Sequence, residues 1–523
     1  MCGIAGFVGA RADGEQVLKR MLHQLRRRGP DGEGIEIFDN EVFLGHRRLS
    51  IIDLEGGRQP MANEDGSLWL TFNGEIFNFR ELREELIAKG HEFRTQSDSE
   101  VILHLFEEFG PQGFERLNGM FAFALWDRKR KELVLVRDRF GIKPIYYAEL
   151  PNGGIAFASE LTALVAHPEV DFQISQDDLK SYLFSDYTIG PSTILKGVRK
   201  LLPGQFLDGS GEAKSYWSPW SLRTEGKERT EAEWIDETRA RLETAVERQL
   251  VSDVPVGAFL SGGIDSSVIT CMAAKHGPIK TFAIGFEQKS FDESAFAKDV
   301  ADQIGSEHFE QIVNEQLLLE NLDDALDSLD EPLGDSSILP TYLVSKFAAE
   351  RVKVVMGGDG GDEMFGGYPT YLAHKMAWAY SAIPSWIRSA IIERVIRSLR
   401  AKTSYMSLEF KLKRFALRWD KEPMRRHLRW MSSTDVPDIN TLFGDESFDP
   451  PIFDHVDPEA LRGDLTDWML TDFTTYMPGS VLTKVDRASM ANGLEVRPPF
   501  LDHDLVDLAF QVPPKLKIKG RTT

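Results

Sequence analysis

The hydrophobic pattern of this 523-residue chain changes part-way along its length. Over roughly the first 200 residues, short apolar runs such as 121–127 and 133–138 alternate with turn signals, as antiparallel hairpins do. From residue 231 onward, an amphipathic stretch at 231–250 is followed by strand, glycine-rich loop and helix in alternation, which is typical of a parallel α/β sheet. Because the chain is also too long for one core, we predict an α+β domain followed by an α/β domain.

A polar segment separates the two patterns. Residues 217–230 include Pro219 and Gly226 and lack periodic apolar positions, which indicates a linker. We therefore predict a first domain at 2–210, a linker at 211–232 and a second domain at 233–523. Helices are predicted at 14–27, 79–89, 99–109 and 266–274, and parallel strands at 256–260, 281–286 and 352–356.

Composition and charge exclude several classes of function. Lys and Arg total 61 and Asp and Glu total 82, so the net charge of −21 argues against a nucleic-acid partner. Segment 388–430 reverses this balance with 13 basic and 4 acidic residues, and we predict two solvated amphipathic helices there rather than an RNA or acidic-partner site. The sequence has no leader and no apolar run long enough for a bilayer, so we expect a cytoplasmic protein without a membrane partner.

Only two cysteines occur, Cys2 and Cys271, which excludes a disulfide framework or a cysteine-based metal site and fits a reducing cytosol. Removal of Met1 would leave Cys2 with a free α-amine beside its own thiol. The α-amine has a pKa of roughly 7.7–8.0, so it can relay a proton while the thiolate attacks a carbonyl. Cys2 is therefore the candidate nucleophile, whereas Cys271 is predicted to be a buried core thiol.

The polar residues that follow Cys2 suit an amino-acid substrate with a side-chain amide. Arg48 can pair with an α-carboxylate, and Glu75 and Asp98 can hold an α-ammonium group. The Asn73 side chain and the Gly74 backbone N–H can stabilise an oxyanion, which contributes about 3 kcal/mol per donor. Each motif alone also fits an ordinary turn, cap or surface ion pair, and their combination with Cys2 favours the functional interpretation.

These motifs carry a family resemblance. Cys-Gly-Ile at 2–4, Arg-Gly-Pro-Asp at 28–31, Arg-Leu-Ser at 48–50, Asn-Gly-Glu-Ile at 73–76 and Ser-Asp at 97–98 resemble the glutaminase domain of the N-terminal-nucleophile glutamine amidotransferases. The resemblance implies a four-layer αββα fold that hydrolyses glutamine to glutamate and ammonia. It implies that the catalytic and glutamine-binding residues are Cys2, Arg48, Asn73, Gly74, Glu75 and Asp98.

A second candidate centre follows the predicted strand 256–260. The loop Ser-Gly-Gly-Ile-Asp-Ser-Ser at 261–267 places glycines, hydroxyls and N–H groups before a helix, which forms a nest for anions. It lacks the Gly-Lys-Ser/Thr of a Walker A loop and instead resembles the pyrophosphate loop of the ATP pyrophosphatases. In that loop, the candidate ATP-binding residues are Ser261, Gly262, Gly263, Asp265 and Ser266.

The acidic glycine loop at 357–363 supplies further oxygen ligands. Asp265 and Asp362 are candidate ligands for Mg²⁺, which prefers carboxylates, water and ATP phosphates. Further polar clusters occur at 330–337, 484–487 and 495–502, and we count them among the motifs of the second centre. With these motifs in order, the whole chain resembles glutamine-hydrolysing asparagine synthetase.

That resemblance implies an α/β Rossmann-like ATP-pyrophosphatase domain that needs ATP and Mg²⁺. In such a domain, aspartate is activated as β-aspartyl-AMP and attacked by ammonia channelled from the first domain. By position, Leu260, Ile284, Gly357 and Gly358 would line the ATP site, and Asp359 would stand where the acidic residue for acyl-adenylate formation lies. The substrates implied are glutamine, ATP and aspartate or another carboxylic acid, and the resemblance implies a homodimer.

This sequence departs from the family pattern at two places, and both leave the acceptor or the adenylation step open. The well-studied asparagine synthetases have glutamate where this chain has Asp359, and the shorter acid occurs in a bacterial branch whose members can amidate other carboxylates. The family normally continues beyond the position of Thr523 with a lysine-containing segment, so we expect a truncated product, a substitute such as Lys484, or impaired adenylation. The β-lactam synthetases share the ATP domain but lack the N-terminal cysteine, and Cys2 argues against that class and against a non-catalytic relative.

Overall fold

The N-terminal half of the computed structural model contains two stacked antiparallel sheets. The structure describes residues 1–223, 228–288, 292–400, 407–445, 447–454 and 461–520. Strands β1–β12 are Gly3–Val8, Gly32–Phe38, Val42–Arg48, Met61–Ala62, Leu68–Ile76, Gly119–Asp127, Glu132–Arg137, Tyr146–Glu149, Ile155–Ala158, Val198–Lys200, Gln205–Leu207 and Ala213–Ser215. One six-stranded sheet has the order β10-β8-β9-β1-β3-β2, and the other has the order β12-β11-β7-β6-β5-β4.

Three apolar layers hold this domain together. Ile4 and Leu44 of one sheet pack on Ala122 and Leu135 of the other, so the alternate side chains of both sheets form a central core. Helices α1 (Gly14–Gln24) and α4 (Leu161–Leu164) cover the first sheet, and α2 (Phe79–Ala88) and α3 (Glu100–Phe109) cover the second. The predicted four-layer αββα domain is confirmed.

The edge of the second sheet extends into the segment that we assigned to the linker. β12 lies after residue 210, yet it pairs with β11 in register, Phe206 opposite Lys214. It is followed by a short 3₁₀ turn at Pro219–Leu222, and residues 224–227 of the linker lie outside the described residues. The sheet therefore continues past our predicted end of the first domain, because β11 offers β12 a free edge for hydrogen bonding.

The C-terminal half contains a parallel α/β sheet, as predicted, and the structure places helices on both of its faces. Strands β13–β17 are Val256–Phe259, Lys280–Phe286, Glu307–Val313, Val354–Met356 and Glu495–Arg497, in the order β15-β14-β13-β16-β17. Helix α6 (Glu231–Gln249) begins at a capping box in which Thr230 and Glu233 satisfy each other's backbone N–H groups. Helices α7 (Ile264–Ala274) and α8 (Ser294–Ile304) pack on one face of the sheet and α11 (Ile338–Ala349) on the other.

The other helices, from both halves of the chain, complete the element list. In chain order they are α5 (Gln176–Ser185), α9 (Glu315–Glu320), α10 (Leu322–Leu326), α12 (Gly361–Phe365), α13 (Pro369–Ser381), α14 (Ser385–Ile387), α15 (Glu393–Arg397), α16 (Leu408–Leu417), α17 (Pro423–Met431), α18 (Val436–Phe443), α19 (Leu465–Thr474), α20 (Leu482–Met490), α21 (His503–Gln511) and α22 (Pro514–Lys517). Among the described residues, no helix is at once long enough and apolar enough to cross a bilayer.

Two predictions for this half are wrong: the one for the basic segment 388–430 and the one for Cys271. The basic segment does not form two solvated helices: a π-helical turn at Arg388–Ile392, α15, α16 and most of α17 share it, with residues 401–406 outside the described part. Several of its arginines face inward, since Arg414 donates to the Trp430 and Ser432 carbonyls and Arg429 pairs with Asp435. Cys271 is exposed, because its position on α7 points away from the sheet.

Buried contacts join the two domains. Met1, Phe77 and Ile142 of the first domain share an apolar cluster with Met356 and Leu501 of the second. Beside this cluster, the buried Arg28 guanidinium bonds with both carboxylate oxygens of Asp486, on α20, at 2.7 and 3.0 Å. Asp486 also accepts from Arg487, whose guanidinium pairs with Asp330. The domains are thus held together by an apolar cluster and a buried ionic network.

Replacing Asp486 by Asn removes the charge that Arg28 and Arg487 share. We expect a loss of about 3–5 kcal/mol in the free energy of unfolding, because two buried guanidiniums lose the carboxylate charge that they share. The arginines hold the pKa of Asp486 far below its usual range. Its contribution is therefore complete at neutral pH and is lost as the pH falls below the unfolded-state value of about 3.9.

Urea denaturation of the full chain measures this loss. The matched control is Asp65→Asn, which removes the exposed partner of Lys129. The control should unfold at the wild-type midpoint within error. Equal effects from the two substitutions would contradict a special role for the buried network.

Candidate active site

Cys2 directly precedes β1, close to the ends of the strands that carry most of its predicted partners. β1 pairs with β3, Gly3 opposite Arg47, which brings the residue after it, Arg48, to the same end of the sheet. The Cys2 backbone N–H donates to Asn73 Oδ1 at 2.9 Å, and the Sγ atom lies 3.9 Å from the Leu49 carbonyl oxygen. Burial raises the pKa of the Cys2 thiol, while the Met1 α-ammonium opposes this shift.

Asn73 and Gly74 on β5 provide the arrangement expected of an oxyanion site. Asn73 is fully buried, its Oδ1 is occupied by Cys2, and its Nδ2 has no hydrogen-bond partner among the described residues. A buried amide donor without a partner is costly unless a ligand accepts from it. A Cβ at Gly74 would collide with the Met120 carbonyl oxygen, so only glycine allows the strand to pass here.

Arg48 is held in place by backbone acceptors. Its guanidinium donates to the carbonyls of Leu54 at 2.9 Å, Ile52 at 3.2 Å and Asp53 at 2.6 Å. These three bonds turn the loop after β3 around the guanidinium. Arg48 is only partly buried, so its charge is available to a carboxylate near the Cys2 thiol.

Glu75 and Asp98 form a buried acidic pair. Asp98 accepts from the Ile76 backbone N–H at 2.8 Å, and burial raises the pKa of Asp98 to about 6. Burial, followed by the neighbouring charge of Asp98, raises the pKa of Glu75 well above its usual range. Glu75 also faces the guanidinium of Arg497, on β17 of the second domain, at 3.4 Å. The structure thus brings together all five of the residues predicted beside Cys2, with Glu75 at the domain boundary.

Sequence reasoning missed the residues that link this centre to the second domain. Arg28 Nε donates to the Cys2 carbonyl oxygen at 3.1 Å. The Met1 α-ammonium donates to Glu495 at 2.7 Å, and Glu495 also accepts from Arg497 at 2.6 Å. The sequence places Arg28 in the motif at 28–31, and Glu495 and Arg497 in the polar cluster at 495–502. Their roles could not be assigned, because the partners lie more than 450 positions away in the chain.

The second centre is a cleft of about 780 Å³ at the C-terminal edge of the parallel sheet. This edge is where ligands bind in open α/β sheets. Lys484 on α20 also lines the cleft. The predicted residues that line it are Leu260, Ser261, Gly263, Asp265, Ser266, Ile284, Gly357, Gly358, Asp359 and Asp362. Gly262 belongs to the same loop but is not part of the lining.

Local geometry explains the glycines of this cleft. Gly262 has φ +81°, and a Cβ there would lie 2.7 Å from the Phe296 Cβ, so the turn requires glycine. Ser261 Oγ and Ser266 Oγ are 3.0 Å apart, which closes the loop at the start of α7. A Cβ at Gly358 would lie 3.1 Å from the Cβ of Asp265, so the two glycine loops touch.

Three aspartates meet where these loops touch. Burial, followed by the charges of Asp362 and Asp359, raises the pKa of Asp265 to about 6. Burial also raises the pKa values of Asp362 and Asp359, and the Lys484 ammonium opposes the shift at Asp359. Lys484 is anchored by Asp335 at 2.9 Å. Partly desolvated carboxylates that repel one another suit a divalent cation, and the residues present therefore fit Mg²⁺.

Two family models match this chain, and each covers the residues of one of the two centres. Residues 1–217 match the family model of a glutamine amidotransferase domain, and residues 237–523 match that of asparagine synthase. The fold and the Cys2 centre thus define a glutamine amidotransferase of the N-terminal-nucleophile class, joined to a nucleotide-binding α/β domain.

Full-length relatives identify the family. The chain is 35% identical over 552 aligned positions to Asparagine synthetase (glutamine-hydrolyzing) 1 of Bacillus subtilis (strain 168), covering 100% of this chain and 83% of that protein. It is 32% identical to Asparagine synthetase (glutamine-hydrolyzing) 3 of the same organism, covering 99% and 82%. It is 34% identical to a putative asparagine synthetase (glutamine-hydrolyzing) of Mycobacterium tuberculosis (strain ATCC 25618 / H37Rv), covering 100% and 83%. The chain belongs to the family of glutamine-hydrolysing asparagine synthetases.

Replacing Asp362 by Asn should stabilise the free protein at pH 8. At that pH the folded chain must ionise Asp265 against its raised pKa, and loss of the Asp362 charge lowers this cost. We expect the thermal midpoint to rise by a few degrees at about pH 8 and by less at about pH 5, where Asp265 is largely protonated in the folded state.

Differential scanning calorimetry at the two pH values measures the change. The control Asp292→Asn should lower the midpoint, because Asp292 accepts from the Ser294 and Phe286 backbone N–H groups and its pKa is lowered. A lower midpoint for Asp362→Asn at pH 8 would show that Asp362 does not destabilise Asp265.

Proposed function

We propose that this chain catalyses the glutamine-dependent amidation of aspartate. The overall reaction converts ATP, L-aspartate, L-glutamine and water to AMP, diphosphate, L-asparagine and L-glutamate. The family membership and the two centres on one chain support the proposal. Magnesium, a homodimeric state and a cytoplasmic location are included in it, and the net charge of −21 is consistent with the absence of a nucleic-acid partner.

One observation carries the proposal: a small pocket between the domains is lined by Met1, the chain neighbour of Cys2, and by Asp359 of the second centre. Met1 and Lys143 line it from the first domain, and Asp359, Leu482 and Val496 line it from the second. Ammonia released into water is protonated and ceases to be a nucleophile. In the proposed reaction, an enclosed path from Cys2 to Asp359 would deliver the ammonia to the activated carboxyl group.

The glutaminase step follows from the contacts around Cys2. Once Met1 is removed, the α-amine of Cys2 accepts the thiol proton, and the thiolate attacks the amide carbon of glutamine. The unpaired Asn73 Nδ2 and the Gly74 N–H stabilise the oxyanion. Ammonia then leaves with the relayed proton, and water hydrolyses the thioester to glutamate. Arg48 and Asp98 hold the α-carboxylate and α-ammonium of the substrate.

The synthetase step follows from the cleft. The N–H groups of the loop around Gly263, at the start of α7, bind the phosphates of ATP, and Leu260 and Ile284 contact the adenosine. Asp265 and Asp362 would hold Mg²⁺, which neutralises phosphate charge when bound. The aspartate β-carboxylate attacks the α-phosphorus and diphosphate leaves, after which ammonia displaces AMP. Asp359 faces the adenylate, and Lys484 provides the cation beside it.

The reaction is tested with purified full-length protein, Mg²⁺, ATP, glutamine and aspartate. We expect equal amounts of asparagine, AMP, diphosphate and glutamate. Cys2→Ala should lower the glutamine-dependent rate at least about a thousandfold and leave the ammonia-dependent rate intact, because the second centre is untouched.

Cys271→Ala is the matched control, since the exposed Cys271 lies on α7 and should leave both rates unchanged. Glutaminase activity that survives Cys2→Ala would contradict the assignment of the nucleophile. Diphosphate release with other carboxylic acids but not with aspartate would contradict the proposed acceptor.

The binding of glutamine should depend on the ionisation of Asp98. Its pKa is raised to about 6, and only the carboxylate pairs with the α-ammonium of the substrate. KM for glutamine should therefore fall as the pH rises from about 5 to about 7, while Asp98→Asn should raise KM about tenfold or more and abolish this dependence. Steady-state glutaminase kinetics across this range measure the effect.

The control for this profile is Glu36→Gln on β2. Burial raises the pKa of Glu36 as well, but Glu36 lies outside the Cys2 centre. This variant should keep the wild-type pH dependence of KM. An Asp98→Asn enzyme with the wild-type profile would show that another group governs glutamine binding.

A further inference from the structure

Four side chains outside both centres converge on the surface of the first domain. Glu64 follows β4, His91 follows α2, and His104 and Glu107 lie one turn apart on α3. One potential ligand atom from each residue can be chosen so that all four lie within 4.8 Å of one another. Neither the glutaminase nor the synthetase chemistry uses these residues.

The distances between these atoms fit a coordination shell. His104 Nδ1 lies 3.4 Å from Glu64 and 3.8 Å from Glu107, and His91 Nδ1 lies 4.0 Å and 3.6 Å from the same two carboxylates. These separations are long for hydrogen bonds. A tetrahedral ion with ligand bonds of about 2.0–2.2 Å has ligand–ligand edges of about 3.3–3.6 Å, close to the distances found here.

The polar atoms at the centre of this cluster are buried and without partners. His104 is 0% exposed, and both of its ring nitrogens lack a hydrogen-bond partner in the described part of the chain. Oε2 of Glu64 is buried and unbonded in the same way. Buried polar atoms without partners are rare in folded proteins, and an ion bound to His104 Nδ1 and Glu64 Oε2 would remove the cost at both atoms.

Each histidine also has a second carboxylate near the ring nitrogen on its far side. His104 Nε2 lies 3.7 Å from Glu100, and His91 Nε2 lies 3.5 Å from Glu108. Glu100 is itself fixed by the Arg94 and Thr95 backbone N–H groups, both at 2.8 Å. In metal sites, the ring nitrogen that does not bind the ion commonly faces such a carboxylate, which leaves the other nitrogen free for the metal.

We propose that Glu64, His91, His104 and Glu107 bind a zinc ion. Two imidazoles and two carboxylates are a typical ligand set for Zn²⁺, whereas Mg²⁺ and Ca²⁺ require oxygen ligands. The ion would connect the segment after β4, the segment after α2 and helix α3. Segment 92–99, which leads from His91 into α3, carries Asp98, so zinc would stabilise the chain segment that holds this residue of the glutaminase centre.

Zinc binding is measured on the full chain after chelator treatment and dialysis, with zinc chloride as the only added metal. Isothermal titration and elemental analysis should give one Zn²⁺ per chain, and zinc should raise the thermal midpoint. His91→Gln and Glu107→Gln should each weaken binding at least about tenfold. Neither residue is fully buried, so both variants should fold, which circular dichroism checks.

Two variants distinguish this site from others. His23→Gln alters an exposed histidine of α1 and should leave zinc binding unchanged. Cys2→Ala should also keep one Zn²⁺ per chain, which excludes the thiol as the ligand. With Co²⁺ as the probe, the wild type should show the intense visible absorption of a tetrahedral site, and His91→Gln should not.

Two results would overturn the proposal. Absence of zinc from the wild-type chain would mean that the cluster is a set of histidine–glutamate ion pairs. Equal zinc binding by the wild type, His91→Gln and Glu107→Gln would place the ion elsewhere. Neither result bears on the proposed synthesis of asparagine, which is measured separately by product formation.

Discussion

Arg28 is the residue on which the arrangement of both domains depends. Its fully buried guanidinium bonds at once to the Cys2 carbonyl, to Glu160 of its own domain and to Asp486 of the other. A charge in this position is tolerated only with its partners in place. The same guanidinium that pairs with the second domain therefore also fixes the backbone of the nucleophile.

The sequence was sufficient for those parts of the structure whose signals are local. The hairpin at 119–137, the capping box before α6 and the glycine loop after β13 all follow from residues close together in the chain. Four of the predicted partners of Cys2 lie on β3 and β5, which carry Arg48, Asn73, Gly74 and Glu75 towards the start of β1, and Asp98 joins them by accepting from the Ile76 backbone N–H.

Long-range pairing and burial could not be predicted. The contacts of Glu75 with Arg497 and of Met1 with Glu495 cross the domain boundary, and no local pattern encodes such a partner. A free cysteine is usually buried, which is why we predict a core position for Cys271, yet the side of α7 that it occupies faces solvent. The zinc-site cluster was missed for the same reason, since Glu64 and His104 are separated by 40 positions along the chain.

The opposite exposure of the two cysteines has a practical consequence. Cys2 is buried at the domain boundary, whereas Cys271 is open to solvent on the helix that begins at the phosphate loop. A maleimide dye should therefore react with Cys271 first, without any engineered site. The unaltered polypeptide therefore offers one accessible thiol for a label, on the helix that begins at the phosphate loop.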